Sequence, residues 1–389
     1  METPNIDVDL FKSIVSSVKQ QFPIQEFIPL HAPVFAGNER NYVLDAIDST
    51  YVSSVGTYVN RFESMMVEIT GAKYAIATVN GTSSLHVALL LSGLQPEDEV
   101  LSQALTFVAT ANAISYIGSK IVFIDVDRDT LGMSPSALRI FLETSAEKKP
   151  DGFTYNKLTG RRIGACVPMH TFGLPCRIDE IVTICEEWNI ILIEDAAESL
   201  GSYYRGKHTG VFGRMGVFSF NGNKTVTCGG GGALVTNDEN LAKRAKHLTT
   251  QAKIPHKWEF VHDEIGYNYR MPNLNAALAC AQLEQLNHFV DNKRELNKAY
   301  RNAFDNLDVM LVNEMENARS NYWLNALVFN DLEERNAFLD YSNRNGVMTR
   351  PVWELLPRLN MFKNCQSGSL VNSIWLADRV VNIPSGFRV

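Results

Sequence analysis

The stretch YAIATVNGTSS at residues 74–84 decides the fold class. Its first six residues form a compact apolar strand, a turn at Asn80-Gly81 follows at once, and a helix is predicted over residues 83–92. A strand that is apolar without alternation is typical of a parallel sheet covered on both faces. The stretch therefore predicts an α/β protein whose helices pack on both sides of the sheet.

Further buried strands are predicted along the chain, and helix-like stretches such as residues 178–187 lie between most of them. The predicted strands are residues 121–125, 164–169, 190–193, 216–220 and 233–236. Their alternation with helices favours a mostly parallel central sheet. After about residue 262 the pattern changes to a long helical region at 273–304 and a mixed segment at 323–329, which predicts a smaller α+β domain.

Three parts of the chain are expected: an N-terminal helical extension at residues 1–27, a large domain at residues 28–262 and a small C-terminal domain at residues 263–389. Apolar residues of the extension recur at helical spacing, which predicts an amphipathic helix that docks on the protein's own surface. A helix that binds a partner is the alternative. The apolar residues are Leu10, Phe11, Ile14, Val15 and Val18.

The composition argues against several classes of function. The 389 residues include 36 Lys and Arg and 43 Asp and Glu, a net charge of −7, so there is no overall basic field for nucleic acid or an anionic membrane. Six cysteines without a CxxC pair indicate reduced thiols. The polar start and the lack of a long apolar stretch predict a cytoplasmic protein. His247, His256 and His262 lack the spacing and the clustered carboxylates of a metal site, so no metal is expected.

Four features of the large domain are candidates for chemistry. Residues 80–84 join a strand to a helix, where free N–H groups form an anion cradle, although Thr and Ser are also ordinary helix caps. Asp195 ends a predicted strand, where ligands of parallel sheets collect and where helix caps are also common. Lys224 follows another strand and is either an amine nucleophile or a surface-loop lysine. The glycine run at residues 228–233 matches neither glycine-rich nucleotide motif.

In their order along the chain, these features are what pyridoxal phosphate (PLP) requires. The helix start at residues 81–84 suits the phosphate, and Phe107 suits one face of the ring. Asp195 pairs with the pyridine nitrogen and keeps it protonated, and Lys224 forms the imine and later moves the proton.

Five ordered motifs also carry a resemblance to a known family: Asn80-Gly-Thr-Ser-Ser84, Leu105-Thr-Phe-Val-Ala-Thr110, Ile193-Glu-Asp-Ala-Ala-Glu-Ser199, Ser219-Phe-Asn-Gly-Asn-Lys224 and Gly266-Tyr-Asn-Tyr-Arg-Met-Pro272. The chain resembles the DegT/DnrJ/StrS family of PLP-dependent sugar aminotransferases from about Ile28 to its C-terminus. The resemblance implies the type I (aspartate aminotransferase) fold, with a mostly parallel central sheet and a smaller α+β domain. It also implies a homodimer with shared active sites.

The resemblance assigns roles by position, with Lys224 as the Schiff-base lysine and Asp195 as the pyridinium partner. The residues it implies at the cofactor are Gly81, Thr82, Ser83, Phe107, Asp195, Glu198, Ser219 and Lys224, with Asn268 and Arg270 reaching the phosphate of the neighbouring subunit. The residues it implies at the sugar nucleotide are Gly56, Thr57, Tyr58, Glu198 and Arg350. Glu198 stands where family members often carry histidine or glutamine.

The expected activity is transfer of an amino group from L-glutamate to a nucleotide-linked keto sugar, with the cofactor alternating between PLP and pyridoxamine phosphate (PMP). The runs at residues 28–33, 51–56 and 349–353 resemble the branch that aminates UDP-linked 4-keto-6-deoxy-N-acetylhexosamines for bacterial surface glycans of the bacillosamine and legionaminic acid type. The alternatives are a sugar dehydratase of the same fold, whose relatives replace the lysine with histidine, and a non-catalytic sensor.

Overall fold

The computed structural model of the protein describes residues 7–388. Helices and strands alternate through most of this range. The α-helices are α1 (Val8–Gln21), α2 (Glu39–Asp48), α3 (Thr57–Thr70), α4 (Gly81–Leu91), α5 (Val108–Tyr116), α6 (Pro135–Ser145), α7 (Ile178–Glu187), α8 (Glu239–Thr249), α9 (Asn273–Leu283), α10 (Leu286–Phe304), α11 (Leu332–Arg344) and α12 (Val371–Ala377). Two short 3₁₀ helices lie at Thr171–Gly173 and Leu356–Arg358.

Strands of the described residues form one large sheet and three smaller ones. They are β1 (Tyr74–Thr78), β2 (Glu99–Gln103), β3 (Lys120–Ile124), β4 (Ala146–Lys148), β5 (Thr154–Asn156), β6 (Ile163–Val167), β7 (Ile191–Asp195), β8 (Tyr203–Tyr204), β9 (Lys207–His208), β10 (Met215–Ser219), β11 (Gly232–Thr236), β12 (Met310–Leu311), β13 (Ala318–Arg319), β14 (Asn325–Val328), β15 (Arg350–Pro351), β16 (Gln366–Ser367) and β17 (Val380–Ile383).

The large sheet has eight strands in the order β1-β11-β10-β7-β6-β2-β3-β16. The five neighbouring pairs from β10 to β16 are parallel. Strand β11 is antiparallel to both β1 and β10 and joins these two strands. The expectation of a mostly parallel α/β sheet is therefore confirmed.

The sheet is covered on both faces because successive residues of its strands pack into two separate hydrophobic cores, one on each face. In β3, Ile121 and Phe123 belong to a core with β1, α4 and α5, whereas Val122 and Ile124 belong to a core with α6 and α7. Side chains of a strand alternate between the two faces, so a strand covered on both faces is apolar throughout. Each strand predicted from the sequence is present, with ends that differ by a few residues, and β2 was not predicted.

The C-terminal part contains the four-stranded antiparallel sheet β12-β14-β17-β15. The helical region predicted at 273–304 is two helices, α9 and α10. Helix α9 packs on α2 and α3 beside the large sheet. The division of the chain at residues 27 and 262 stays a prediction.

Helix α1 packs on α10 and α11 of the same chain, as expected for a helix that docks on its own protein. All five of its predicted apolar residues are buried, and they share a core with Leu296 and Phe338. Asp7 caps the helix by accepting hydrogen bonds from the N–H groups of Asp9 and Leu10, both at 3.0 Å. Residues 1–6 of the predicted extension lie outside the described residues. Within residues 7–388, no helix is long and apolar enough to cross a membrane.

Candidate active site

A cleft of about 300 Å³ lies where β7 and β10 end and α4 begins. This is the carboxyl edge of the parallel strands, where ligands of such sheets bind. The cleft is lined by Asn80, Gly81, Thr82, Leu85, Phe107, Ala109, Met169, Asp195, Ala197, Glu198, Ser219, Asn221, Asn223, Lys224, Trp323 and Trp353. Seven of the residues expected at the cofactor are among them, although they come from distant parts of the sequence.

The first turn of α4 forms one end of the cleft. Asn80 caps the helix, and its side-chain oxygen accepts from the Ser83 N–H at 2.7 Å, so Ser83 contributes to the cap instead of lining the cleft. Gly81 lies so close to the end of β10 that a Cβ there would come within 2.9 Å of the Ser219 Cβ. The first N–H groups of a helix have no intrahelical acceptor. Gly81 therefore lets a hydroxyl approach a helix N-terminus, which is an arrangement suited to an anion.

Asp195 is buried on the opposite wall of the cleft, at the end of β7. Its carboxylate accepts from the Thr110 hydroxyl at 2.7 Å and from the Ala197 N–H at 3.2 Å. Burial raises the pKa of Asp195, while the hydrogen bonds from Thr110 and Ala197 and the charge of Lys224 oppose this rise. The site thus holds a desolvated carboxylate that two donors orient.

Glu194, the preceding residue, projects to the other side of the sheet because side chains of a strand alternate. Its carboxylate accepts from three N–H groups of the turn at residues 210–213, at 2.6–2.8 Å, and contacts His170 Nε2 at 3.0 Å. Burial lowers the pKa of His170, but its contacts with Cys176 and Glu194 raise it to about 10. Of the two adjacent carboxylates, Asp195 alone faces the cleft.

Lys224 brings its amine into the cleft between Glu198 and Trp323. The Nζ atom donates to Glu198 Oε1 at 3.1 Å and lies 4.0 Å from the centre of the Trp323 indole ring. The other Glu198 oxygen accepts from the Phe172 N–H at 2.9 Å. Burial raises the pKa of Glu198 to about 7, against the lowering effect of Lys224. Sequence reasoning placed Lys224 here, and Glu198 is its direct partner.

Aromatic side chains form the open side of the cleft. Phe107 is half exposed, and its ring centre lies 6.1 Å from that of Trp353, which packs in turn on Phe172 at 5.1 Å. Phe107 was predicted at the cofactor, whereas Trp323 and Trp353 were not. Thr110 was not predicted as a site residue either, although it lies one helical turn after Phe107.

Gly56, Thr57 and Tyr58, expected at the sugar nucleotide, do not line this cleft. A Cβ on Gly56 would clash with the Asn273 side chain at 2.2 Å, and Asn273 accepts from the Tyr58 N–H at 3.1 Å. The Tyr58 side chain is buried, and its hydroxyl donates to Asp45 at 2.9 Å. Burial and Asp45 raise the pKa of Tyr58 to about 12. In the structure these residues hold the start of α3 in place through their contacts with Asn273 and Asp45. Their contact with a substrate stays a prediction.

Arg350 also lies outside the cleft lining and is exposed. Its guanidinium donates to the Thr349 carbonyl at 2.9 Å and to Asn343 at 3.2 Å. Both acceptors are neutral, and no carboxylate within residues 7–388 forms a salt bridge with Arg350. Its positive charge is therefore uncompensated at the surface.

Asn268 and Arg270, expected to serve the neighbouring subunit, lie away from the cleft of their own chain. Asn268 is exposed, and Arg270 is buried in an ion pair with Glu63 at 2.5 Å. Glu63 also accepts from the Ala77 N–H at 3.0 Å, so Arg270 is tied to β1 through it. The reach of either residue to a second subunit stays a prediction.

One expectation about the histidines is wrong. His247 does have clustered carboxylates, because Asp263 and Glu264 lie 2.7 Å and 3.4 Å from its Nε2 atom. The fold brings them together across a loop, which spacing along the chain did not indicate. Arg244 already pairs with Glu264, and both carboxylates are exposed, so these contacts form a surface ion-pair cluster.

Comparison with known proteins shows the family of the chain. The profile of the DegT/DnrJ/EryC1/StrS aminotransferase family matches residues 34–389. The chain belongs to this family. The GDP-perosamine synthase of Escherichia coli O157:H7 is 36% identical over 362 residues, covering 92% of this chain and 93% of that protein.

Solved structures of other aminotransferases have the same fold. The aminotransferase TlmJ from Streptoalloteichus hindustanus superposes with a TM-score of 0.83 at 26% identity, over 92% of this chain and 93% of that one. The Streptococcus pneumoniae protein Spr1654, in its PLP form, superposes with a TM-score of 0.83 at 20% identity, over 93% and 94% of the two chains. The type I fold is therefore confirmed, and the protein is a sugar aminotransferase.

DegT/DnrJ/EryC1/StrS aminotransferases use PLP, and the cleft has a fitting group for each part of that molecule. The start of α4 with Ser219 suits the phosphate, the buried carboxylate of Asp195 suits a protonated pyridine nitrogen, and the amine of Lys224 suits the aldehyde. Phe107 and Met169 lie on the cleft wall between these ends.

Proposed function

We propose that this sugar aminotransferase moves the amino group of L-glutamate to a keto carbon of a 6-deoxy sugar linked to a nucleoside diphosphate. The observation that carries the proposal is the Lys224 amine, held between Glu198 and Trp323 in a cleft that also contains an anion cradle and the buried Asp195. When bound, PLP supplies an electron sink that makes the hydrogen on the amino-bearing carbon acidic.

We assign the roles as follows. Lys224 Nζ holds the cofactor and moves the proton to and from the reacting carbon, a task for which a positioned amine is suited. Asp195, oriented by the Thr110 hydroxyl, stabilises the positive charge at the far end of the ring. The N–H groups at residues 81–82 and the Ser219 hydroxyl bind the phosphate, and Phe107 covers the ring. Glu198 accepts a hydrogen bond from the Lys224 amine whenever that amine is free.

Two nucleotides are candidates for the sugar substrate. A relative named GDP-perosamine synthase covers 92% of the chain, which favours a GDP-linked keto sugar. The runs at residues 28–33, 51–56 and 349–353 favour a UDP-linked 4-keto-6-deoxy-N-acetylhexosamine. We take the GDP-linked sugar as the first substrate to test. The dehydratase alternative is disfavoured because its relatives lack the lysine that lines this cleft.

We also propose that the enzyme is cytoplasmic and that its active form is a homodimer in which the two subunits share their active sites. Support comes from Asn268, which is exposed and outside the cleft of its own chain. The Asn268 side chain is therefore available for contact with a second subunit.

The test is a panel of GDP-, UDP- and dTDP-linked 4-keto-6-deoxy sugars offered to the purified enzyme with PLP and L-glutamate labelled with heavy nitrogen. We expect the label in one product, detected by mass spectrometry, and none with Lys224→Ala. Lys298→Met, on the exposed face of α10, is the control and should match the native enzyme. Absence of label from every sugar, in a folded enzyme that binds PLP and deaminates glutamate, would contradict the proposal.

A further inference from the structure

Trp323 holds the loop that carries Lys224 by two contacts. Its indole ring lies 4.0 Å below the Lys224 amine. Its Nε1 atom donates to the carbonyl of Asn223 at 2.7 Å. The ring therefore contacts the side chain of Lys224 and the backbone immediately before it, and a displaced ring would release both.

The backbone of Trp323 is fixed from behind by two buried side chains. Its N–H donates to Asn321 Oδ1 at 2.9 Å, and Asn321 donates to the carbonyls of Glu198 and Leu200, both at 2.9 Å. Its carbonyl accepts from Lys293 Nζ at 3.3 Å. Trp323 is thus anchored to the Glu198 loop on one side and to α10 on the other.

Lys293 is unusual because it is a buried lysine without a carboxylate. Its side chain is 2% exposed, and it donates to the carbonyls of Trp323 and Ser385. No salt bridge within residues 7–388 includes it. An unpaired buried charge is costly, and an apolar residue at such a position is usually neutral or stabilising. Packing alone therefore does not explain a lysine here.

The two lysines also share an electrostatic neighbourhood. The Nδ1 atom of His31 is buried and has no hydrogen-bond partner in the described part of the chain. The pKa of His31 is lowered by burial first, and then by the charges of Lys293 and Lys224. Burial lowers the pKa of Lys293 to about 7. Both lysine amines therefore lie near the same buried imidazole, and the contact through Trp323 is the direct route from Lys293 to Lys224.

We propose that Lys293 is a positioning residue for amino transfer, which fixes the Trp323 carbonyl and thereby the indole that holds Lys224. The inference rests on the proposed role of Lys224. It gives α10, which contributes nothing to the cleft lining, a defined part in the reaction. Lys293 itself does not line the cleft, so we infer that it acts through Trp323.

The test compares Lys293→Met, which keeps the length of the side chain and removes its donors, with Lys293→Arg, which keeps donors. Lys298→Met, exposed on the same helix, is the matched control. Each holoenzyme is assayed for kcat and KM of the glutamate half-reaction. The pH midpoint of the visible absorption of bound PLP is measured as well, since it reports the surroundings of Lys224. A double variant with Trp323→Ala completes a double-mutant cycle.

We expect Lys293→Met to lower kcat about tenfold, with little change in KM, and to shift the absorption midpoint. Lys293→Arg should recover most of the loss. In the Trp323→Ala background, Lys293→Met should cost nothing further, because its route of action is already removed. An undiminished tenfold loss in that background, or native kcat and midpoint in Lys293→Met, would overturn the inference.

A second variant covers the case in which Lys293→Met does not fold. Trp323→Phe removes the indole donor to Asn223 and leaves a smaller aromatic ring beside the Lys224 amine, so it should also shift the midpoint and lower kcat. Native values in Trp323→Phe would also overturn the inference. If Lys224→Ala retained turnover, the proposed function itself would fail, and this result does not depend on any Lys293 variant.

Discussion

Removal of the Thr110 hydroxyl should lower the affinity of the enzyme for PLP at mildly acidic pH. Thr110 is buried at the start of α5 and donates to Asp195 Oδ2 at 2.7 Å. Thr110→Val replaces this hydroxyl with a methyl group of similar size, so the carboxylate loses one of its two donors while the packing is kept.

The size of the effect follows from the hydrogen bond. A hydrogen bond to a charged group contributes about 1.5–3 kcal/mol. Loss of this bond should therefore raise the pKa of Asp195 further, and should weaken binding of PLP to the charged carboxylate about tenfold or more. Burial already raises this pKa, and Thr110 is the largest influence that opposes the rise. In the variant, Asp195 therefore stays protonated, and unable to pair with a pyridinium, to a higher pH.

The assay is titration of cofactor-free enzyme with PLP at a series of pH values, followed by the visible absorption of the cofactor. The dissociation constant should begin to rise at a higher pH in Thr110→Val than in the native enzyme, and at mildly acidic pH it should be about tenfold or more larger. Thr249→Val is the control, since Thr249 is equally buried but donates to the Ala245 carbonyl at 2.8 Å within α8, outside the cleft lining. An unchanged pH dependence in Thr110→Val would refute the role given to this hydroxyl.

Three further predictions concern other residues. Burial holds the folded pKa of Glu198 at about 7, above its ordinary value of 4.5, so the folded chain binds an extra proton between these values and the free energy of unfolding falls as pH rises through them. In urea unfolding of the cofactor-free enzyme, Glu198→Gln should make the free energy of unfolding less dependent on pH in this range. An unchanged pH dependence would contradict the raised pKa of Glu198. Arg350→Ala should raise the KM for the sugar nucleotide about tenfold or more and spare the glutamate half-reaction; equal losses in both would assign Arg350 to the fold. Mixed dimers of Lys224→Ala and Asn268→Ala chains should regain part of the activity if the sites are shared, whereas no recovery after proven subunit exchange would exclude sharing.

Of the eight strands of the large sheet, the sequence predicts six but neither β16, which is two polar residues long, nor β2. β2 is hard to predict because both of its ends are polar. Glu99 accepts hydrogen bonds from Asn156 and Thr159, both at 2.7 Å. Gln103 accepts from the N–H groups of Met133 and Met169 at 3.0 Å and 2.9 Å. These partners are distant along the chain, so a local pattern shows only two polar residues where a buried strand is expected to be apolar.

The residues of the candidate site also fall into those that the local sequence predicts and those that depend on distant contacts. Asp195 and Lys224 could be predicted because each follows a buried strand, and the carboxyl edge of a parallel sheet is a local property. Trp323 and Thr110 could not be predicted as site residues, because each takes part in the site through a contact with a residue distant in sequence. Thr110 donates to Asp195, which is 85 residues away along the chain. No spacing rule assigns a tryptophan of the C-terminal part to a lysine of the large sheet.

The meeting of Gly81 with Ser219 has a consequence for biosynthesis. Gly81 begins α4 just after β1, and Ser219 ends β10; β1 and β10 are joined only through β11, the last of the three strands to be synthesised. The two sides of the proposed phosphate cradle therefore come together only after β11 has paired with both strands. We expect binding of the cofactor, seen as its visible absorption, to require this last pairing.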